Sequence, residues 1–121
     1  MIILEDLPLP CKLNSLYQAI IARGFPKIVR SKKARAAEVA LLDAIKQRIG
    51  TPAPITVDCY LNVRWYNATR HRHDIDGIIK QLLDILVKAN IIEDDYLIKS
   101  LTIELEQPRK PGGVSIQIAP L

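Results

Sequence analysis

The sequence lacks the features that mark membrane proteins, secreted proteins and cysteine-based metal sites. No apolar run approaches the roughly 18 residues that a membrane-spanning helix requires, and we find no repeat or low-complexity tract. The start, MIILEDLPLP, contains Glu5 and Asp6 and no basic region, so we expect no secretory signal. Cys11 and Cys59 lie far apart, outside any metal-ligand spacing. We therefore expect reduced thiols and a cytoplasmic protein.

The composition is that of one soluble globular domain. The chain has 121 residues, 49% of them hydrophobic and 25% charged, which is enough for a single core over residues 1–121. The formal net charge of +4 alone gives weak support for a polyanionic partner. The distribution is more informative, because six cations lie in residues 23–35 and carboxylates gather in residues 74–95.

The sequence of the first half of the chain predicts one long helix. A short strand at residues 2–4 is followed by residues 11–30, which show no clear period and predict a loop with at most one helical turn. Ser31 is a good N-cap for a helix over residues 32–49, and Gly50 ends it. The first helical turn carries three cations, the wrong sign for the helix dipole. A docked anion would explain them, and so would an ordinary solvated basic turn.

The second half predicts most of the sheet. Alternating apolar residues indicate a long strand over residues 55–66 with one buried face. A wide apolar arc indicates a heavily buried helix over residues 78–90, closed by Asn90. Residues 97–106 and 114–118 alternate again and predict a β-hairpin. The order β-α-β-α-β-β therefore predicts an α+β single domain, with a mixed four-stranded sheet and two main helices packed on one face.

One charged stretch stands out for its possible chemistry. Asp74, Asp76 and Lys80 fall within seven residues, and Asp94 and Asp95 follow after the apolar helix. In a helix the first two carboxylates would diverge by roughly 200°, but an extended Asp74 lets both face one point, with Asp76 near the N-cap. Converging carboxylates favour a bound Mg²⁺ or Mn²⁺ ion. Such a site is suited to phosphodiester hydrolysis. The ammonium group of Lys80 would stabilise the transition state.

An ordinary structural role explains the same residues. Asp76 would then be a simple N-cap, and a surface ladder of Asp76, Lys80 and Asp84 would contribute only about 0.2–0.5 kcal/mol per pair. His71 and His73 stand at alternate positions without a third histidine or a cysteine nearby. We expect them to face DNA or solvent rather than to bind metal.

A wider set of residues resembles the RusA-type Holliday junction resolvases of bacteria and their phages. The shared features are a basic leader, two aspartates separated by one residue, a lysine four residues later, and a downstream acidic pair. In this chain they are Arg70-His71-Arg72-His73-Asp74-Ile75-Asp76, Lys80, Asp84, Lys88-Ala89-Asn90 and Asp94-Asp95. Two positions depart from the pattern, since Gly77 replaces the usual Asn and Asn90 the usual Gly. Asn90 is harmless, because Asn also tolerates the left-handed conformation.

The resemblance implies a Mg²⁺-dependent, structure-selective endonuclease. It would act as a homodimer that nicks two opposing strands of a four-way DNA junction, encoded by a bacterium or a phage. On this resemblance Asp74, Asp76 and Asp95 are the metal ligands, Lys80 is the catalytic lysine and Asp94 is an accessory acid. Gly77 removes an amide that could support the site.

A basic set of side chains is expected to contact DNA phosphates. These are Arg30, Lys32, Lys33, Arg70 and Arg72. Two other classes of function remain open. The protein could be a small basic DNA-binding or replication-accessory module without catalysis. It could also be a protein-interaction domain whose acidic residues 93–95 contact a basic partner.

The position of the second acidic pair is open on the sequence. A helix over residues 76–89 would be about 20 Å long, which separates Asp94 and Asp95 from Asp74. Either the following residues run back along the helix, or two helices pack across a dimer axis and exchange acids. The broad apolar face of this helix suits such an interface.

Overall fold

The computed structural model describes residues 1–70 and 73–121 of the chain. Its strands and helices are, in chain order, β1 (Ile2–Leu7), β2 (Tyr17–Ala22), β3 (Phe25–Arg30), α1 (Lys32–Ile49), β4 (Cys59–Tyr66), α2 (Ile79–Lys88), β5 (Ile98–Leu105) and β6 (Gly113–Pro120). Two 3-10 turns precede β2 and β5, at Leu13–Ser15 and Asp95–Leu97. The α+β class predicted from the sequence is confirmed.

The main sheet has four strands in the order β1-β6-β4-β5. Strand β6 runs antiparallel to β1 and β4, and β5 runs parallel to β4. Two parallel neighbours need a long crossover connection, which α2 and its flanking loops supply. The mixed four-stranded sheet is therefore confirmed.

The core lies between one face of this sheet and the two helices. The sheet buries alternate residues of β4, among them Leu61, Val63 and Trp65. Leu41 of α1 and Leu82 of α2 belong to the same buried cluster. Burial of apolar surface at about 25 cal/mol per Å² is what holds such layers together. The packing of both helices on one face is confirmed.

Much of the apolar arc predicted for α2 packs within the chain itself. Leu82, Ile85 and Leu86 are all fully buried against the chain's own sheet. The arc is wide because the helix lies over the sheet as a crossover, where most of its circumference is covered. Ile79, Leu83 and Val87 are only partly buried beside this core, and an interface at this helix stays a prediction.

The predicted hairpin of the last two strands is wrong. Strand β4 lies between β5 and β6, so these two strands do not pair with each other. Alternation identifies each strand correctly, but it carries no information about the neighbour. The crossover through α2 brings β5 back beside β4, and this leaves β6 to pair on the other edge of β4.

The predicted loop over residues 11–30 is also wrong for most of its length. Strands β2 and β3 form a separate two-stranded antiparallel sheet. Arg23 and Gly24 both have positive φ, 53° and 82°, as a tight two-residue hairpin turn requires. Apolar residues occupy both faces of this hairpin, so its sequence shows no alternation that would predict strands.

Several element boundaries follow from local signals. Ser31 caps α1 by accepting a 3.0 Å hydrogen bond from the Ala34 amide, and Gly50 ends the helix with φ of 65°. Asn90 closes the α2 region with φ of 63°. Strand β4 is shorter than predicted, because residue 55 forms only an isolated bridge with Ile92. Within residues 1–70 and 73–121, no helix combines the length and apolarity needed to cross a bilayer.

Candidate functional site

Asp74 and Asp76 lie in a turn immediately before α2. The Gly77 amide donates to the Asp74 carbonyl at 2.9 Å, and the Ile79 amide donates to the Asp76 carbonyl at 3.2 Å. Neither carboxylate caps the helix, since the N-cap position is Ile78 and no side chain accepts there. Both aspartate side chains are exposed. Asp76 is therefore not the helix cap that an ordinary structural role would make it.

The turn is tight at Gly77. A Cβ atom at this position would lie 3.0 Å from the Asp74 carbonyl oxygen, closer than such contacts normally allow. Glycine therefore fits the turn as it stands, and an asparagine here would require the turn to shift. This gives a local reason for the departure from the family pattern.

The two aspartates line one cavity of about 480 Å³. Its lining residues are Lys12, Leu13, Asn14, His73, Asp74, Asp76 and Gly77. The Leu13 amide donates to the Gly77 carbonyl at 2.7 Å, which holds the first 3-10 turn against the aspartate turn. The cavity thus joins two segments that lie some sixty residues apart in the sequence.

Lys12 and His73 were not identified as cavity residues from the sequence. The Lys12 ammonium contacts Nδ1 of His73. The His73 ring is half-buried and lies against the indole of Trp65, with ring centroids 5.7 Å apart. His73 is therefore part of the cavity wall rather than a solvated side chain. No local pattern pairs Lys12 with His73, because only the tertiary fold brings them together.

The ladder of Asp76, Lys80 and Asp84 is not formed. Lys80 is exposed on the first turn of α2, and the ion pairs of the described residues do not include it. Asp84 instead pairs with Arg30 at 3.3 Å. The structural alternative therefore fails for this set, because the β2–β3 hairpin delivers an arginine that takes the Asp84 carboxylate.

Asp94 and Asp95 lie at the second 3-10 turn, beyond the other end of α2. Asp94 caps this turn by accepting a 2.7 Å hydrogen bond from the Asp95 amide, and both residues are exposed. The hydrogen bond between the two carboxyl groups raises the pKa of Asp95, as do partial desolvation and the negative charges of Asp94 and Asp84. Like charges thus collect at this end of the helix.

The second acidic pair does not join the first within one chain. No three His, Cys, Asp or Glu side chains in residues 1–70 and 73–121 are grouped so that they could hold a metal ion. Asp74 and Asp76 supply two hard oxygen donors to one cavity, which suits Mg²⁺ or Mn²⁺ chemically. A complete site of three carboxylates needs an additional donor.

The four expected DNA-contacting cations that the structure describes fall into two groups. Lys32 and Lys33 are exposed on the first turn of α1, and Arg70 is exposed at a cavity of about 420 Å³ that His73 also lines. Arg30 is already paired with Glu38 at 3.1 Å and with Asp84. Arg72 lies outside the described residues, as does His71.

Comparison with protein-family models assigns the chain to the endodeoxyribonucleases. The matching model is described as Endodeoxyribonuclease RusA, and it covers residues 17–119. The chain belongs to this family, which confirms the resemblance seen in the sequence. Membership implies endonuclease activity on Holliday junctions in DNA recombination. No curated protein matches the chain.

Proposed function

We propose that the protein is a structure-selective endodeoxyribonuclease that resolves four-way DNA junctions by paired, metal-dependent hydrolysis, in recombination and repair. The observation that carries this proposal is the cavity that Asp74 and Asp76 share before α2. Two carboxylates and a lysine that line one cavity suit the chemistry of phosphodiester cleavage, and the family match supports the substrate class.

The proposed metal ligands are Asp74, Asp76 and Asp95, with Mg²⁺ as the ion and Mn²⁺ as a substitute. When bound, such an ion lowers the pKa of an attacking water and stabilises the charge on the phosphate. Asp94 acts as an accessory acid, and it accepts a hydrogen bond from the Asp95 amide that fixes the turn carrying Asp95.

Two lysines are proposed to act on the scissile phosphate. Lys80 is exposed four residues after Asp76, and Lys12 lines the same cavity as the aspartates. An ammonium near the phosphate stabilises charge that builds up in the transition state. The family resemblance assigns the catalytic role to Lys80. Lys12 is a second candidate, because it lines the same cavity as the aspartates.

The flanking cations are proposed to hold the DNA backbone. Lys32, Lys33, Arg70 and Arg72 contact phosphates, so that affinity falls with rising salt concentration. Arg30 contributes less than these residues, because Glu38 and Asp84 already neutralise its guanidinium.

The active unit is proposed to be a homodimer. A junction offers two equivalent strands for cutting, which suits a two-fold protein. The separation of the carboxylates into two groups, one at each end of α2, also supports a dimer. Asp95 lies beyond the far end of α2 from Asp74 and Asp76, so a second copy is the proposed source of the third carboxylate at each site.

Substitution of Asp74 by asparagine tests the proposal. Wild-type protein with Mg²⁺ should nick two opposing strands of a synthetic four-way junction, and Asp74→Asn should reduce cleavage by at least about a hundredfold through the loss of a metal ligand. Junction binding without metal should stay within about twofold. The measurements are single-turnover cleavage on denaturing gels and binding by fluorescence anisotropy.

Asp43→Asn, on the exposed surface of α1, is the matched control and should cleave at the wild-type rate. Cleavage by Asp74→Asn at that rate would show that the site is wrongly assigned. An intact junction bound by wild-type protein with Mg²⁺ or Mn²⁺ would indicate a non-catalytic DNA-binding module. Absence of DNA binding would indicate a protein-interaction domain.

A further inference from the structure

The β2–β3 hairpin exposes an unusual amount of apolar surface. Ile21, Phe25 and Ile28 are 79%, 74% and 75% exposed. Among residues 1–70 and 73–121, the two strands pair with each other and with no strand of the main sheet. A two-stranded hairpin is marginally stable alone, and contiguous exposed apolar side chains usually mark a binding surface.

Both faces of this hairpin are apolar near its tip. Directly opposite residues of an antiparallel pair point to the same face. Ile21 lies opposite Pro26 on one face, and Phe25 lies opposite Ala22 on the other face. An interface with one protein surface needs only one such face. Two apolar faces suit insertion between two flat apolar surfaces.

The charge around the hairpin indicates a polyanionic partner. Residues 7–37 contain seven lysines and arginines and no aspartate or glutamate. The hairpin itself carries Arg23 in its turn and Lys27 in β3. The carboxylates that reach the hairpin, Glu38 and Asp84, bind Arg30 at its base. Its turn and tip carry cations and no acidic residue, as contact with phosphates requires.

The base of the hairpin is fixed beside the aspartate turn. The Ser31 amide donates to the Leu16 carbonyl at 2.9 Å, which closes the hairpin base. The adjacent Leu13 amide holds the Gly77 carbonyl at 2.7 Å. Strands of six residues extend roughly 20 Å, so the tip lies about that far from a base that is tied to the aspartate turn.

We propose that the hairpin is a wedge that enters the branch point of junction DNA. The apolar tip, Ile21 and Phe25, lies between base pairs that the branch leaves without a stacking partner, while Arg23 and Lys27 contact the flanking phosphates. Apolar side chains are known to insert between base steps in this way. The inference rests on the proposed function, and it assigns junction preference to a surface separate from the carboxylates.

The double variant Ile21→Ser/Phe25→Ser tests the wedge. Binding is measured without divalent metal, to a four-way junction carrying 2-aminopurine at the branch point and to a linear duplex of one arm. Wild-type protein should raise the 2-aminopurine fluorescence as the base unstacks. The variant should lose about tenfold in junction affinity, the scale of one base-stacking contact, and should lose the fluorescence change. Its duplex affinity should stay within about twofold.

Two further variants serve as controls for the double variant. Val39→Ser removes an apolar side chain of α1 that is 68% exposed, and it should leave both affinities unchanged. Phe25→Leu keeps an apolar tip and should retain most of the junction preference. Because the substituted hairpin side chains are exposed, the thermal unfolding midpoints should match that of the wild type.

The outcomes separate the wedge from the proposed function. If wild-type protein cleaves the junction but the double variant binds it with unchanged affinity and fluorescence, the wedge is wrong and the nuclease assignment stands. If the double variant turns a wild-type dimer into a monomer and weakens duplex and junction binding equally, the hairpin is a contact between copies instead. If wild-type protein neither prefers nor cleaves junctions, both proposals fail.

Discussion

Gln81 is the polar side chain that α2 carries into the protein interior. It is 1% exposed, it accepts a 2.5 Å hydrogen bond from the Cys11 amide, and it donates one of 2.8 Å to the Ala34 carbonyl. Cys11 directly precedes Lys12, which lines the candidate cavity. The hydrogen bond to Gln81 therefore holds the backbone next to this cavity residue. A single amide thus connects the N-terminal segment, α1 and α2.

We expect Gln81→Leu to destabilise the protein by about 1–3 kcal/mol. The leucine fills a similar volume but leaves the buried Cys11 amide without its acceptor, and an unsatisfied buried donor costs this amount. Urea unfolding followed by circular dichroism measures the loss. Gln47→Leu, on the exposed surface of α1, is the control, and an equal effect of both substitutions would contradict the prediction.

At the scale of elements, an ion network around Glu38 joins both helices to the hairpin. Glu38 of α1 binds Lys88 of α2 and Arg30 of β3. The hydrogen bond from Lys88 contributes most to lowering the pKa of Glu38, with the charges of Lys88 and Arg30, while burial opposes the shift. Lys88 is one of the residues that resemble the family pattern. In this structure its ion pair with Glu38 connects the two helices.

This network predicts a pH dependence of stability. A carboxylate whose pKa is lowered by folding stabilises the protein above its unfolded pKa, and the contribution is lost as the pH falls through the folded pKa. The difference in unfolding free energy between wild-type protein and Glu38→Gln should be about 1 kcal/mol or less near pH 7. It should shrink as the pH falls below about 4.3.

Chemical denaturation across a pH series measures this difference. Glu5→Gln, at an exposed position of β1, is the control and should show a smaller dependence. A Glu38→Gln difference that is constant from neutral to acidic pH would mean that the ion network contributes nothing to stability.

At the scale of the whole molecule, α2 separates the two groups of acids. Asp74 and Asp76 precede this helix of ten residues, Asp95 follows it, and such a helix is about 15 Å long. The chain after Asn90 turns sharply, with the Ile91 amide donating to the Leu86 carbonyl at 3.0 Å. It then meets residue 55 rather than the aspartate turn. In the homodimer that we propose, Asp95 of a second copy would reach each cavity.

Mixed dimers test whether Asp95 acts across the subunits. Co-expressed Asp74→Asn and Asp95→Asn subunits, purified through two different tags, would contain one intact site if the third carboxylate comes from the partner. We then expect single nicks in the junction, although either homodimeric variant is inactive. If each subunit completes its own site, both sites are defective, and absence of nicking would contradict donation across the dimer.

Much of the fold was predictable because its signals are local. The caps at Ser31 and Gly50 define α1, and the alternation of β4 defines a strand with one buried face. The acidic stretch was also predictable as a group, since Asp74 and Asp76 sit close together on one turn. In each case the determining contacts lie within a few residues along the chain.

The rest depended on contacts between distant segments. The sequence by itself determined where most helices and strands lie and which family the chain belongs to. The tertiary structure decided that β4 separates β5 from β6, that Arg30 takes Asp84, and that Lys12 joins the aspartates at one cavity. The physical reason is that periodicity and capping report a residue's own backbone and buried face, whereas strand neighbours and cavity walls are fixed by how the faces of different elements pack together.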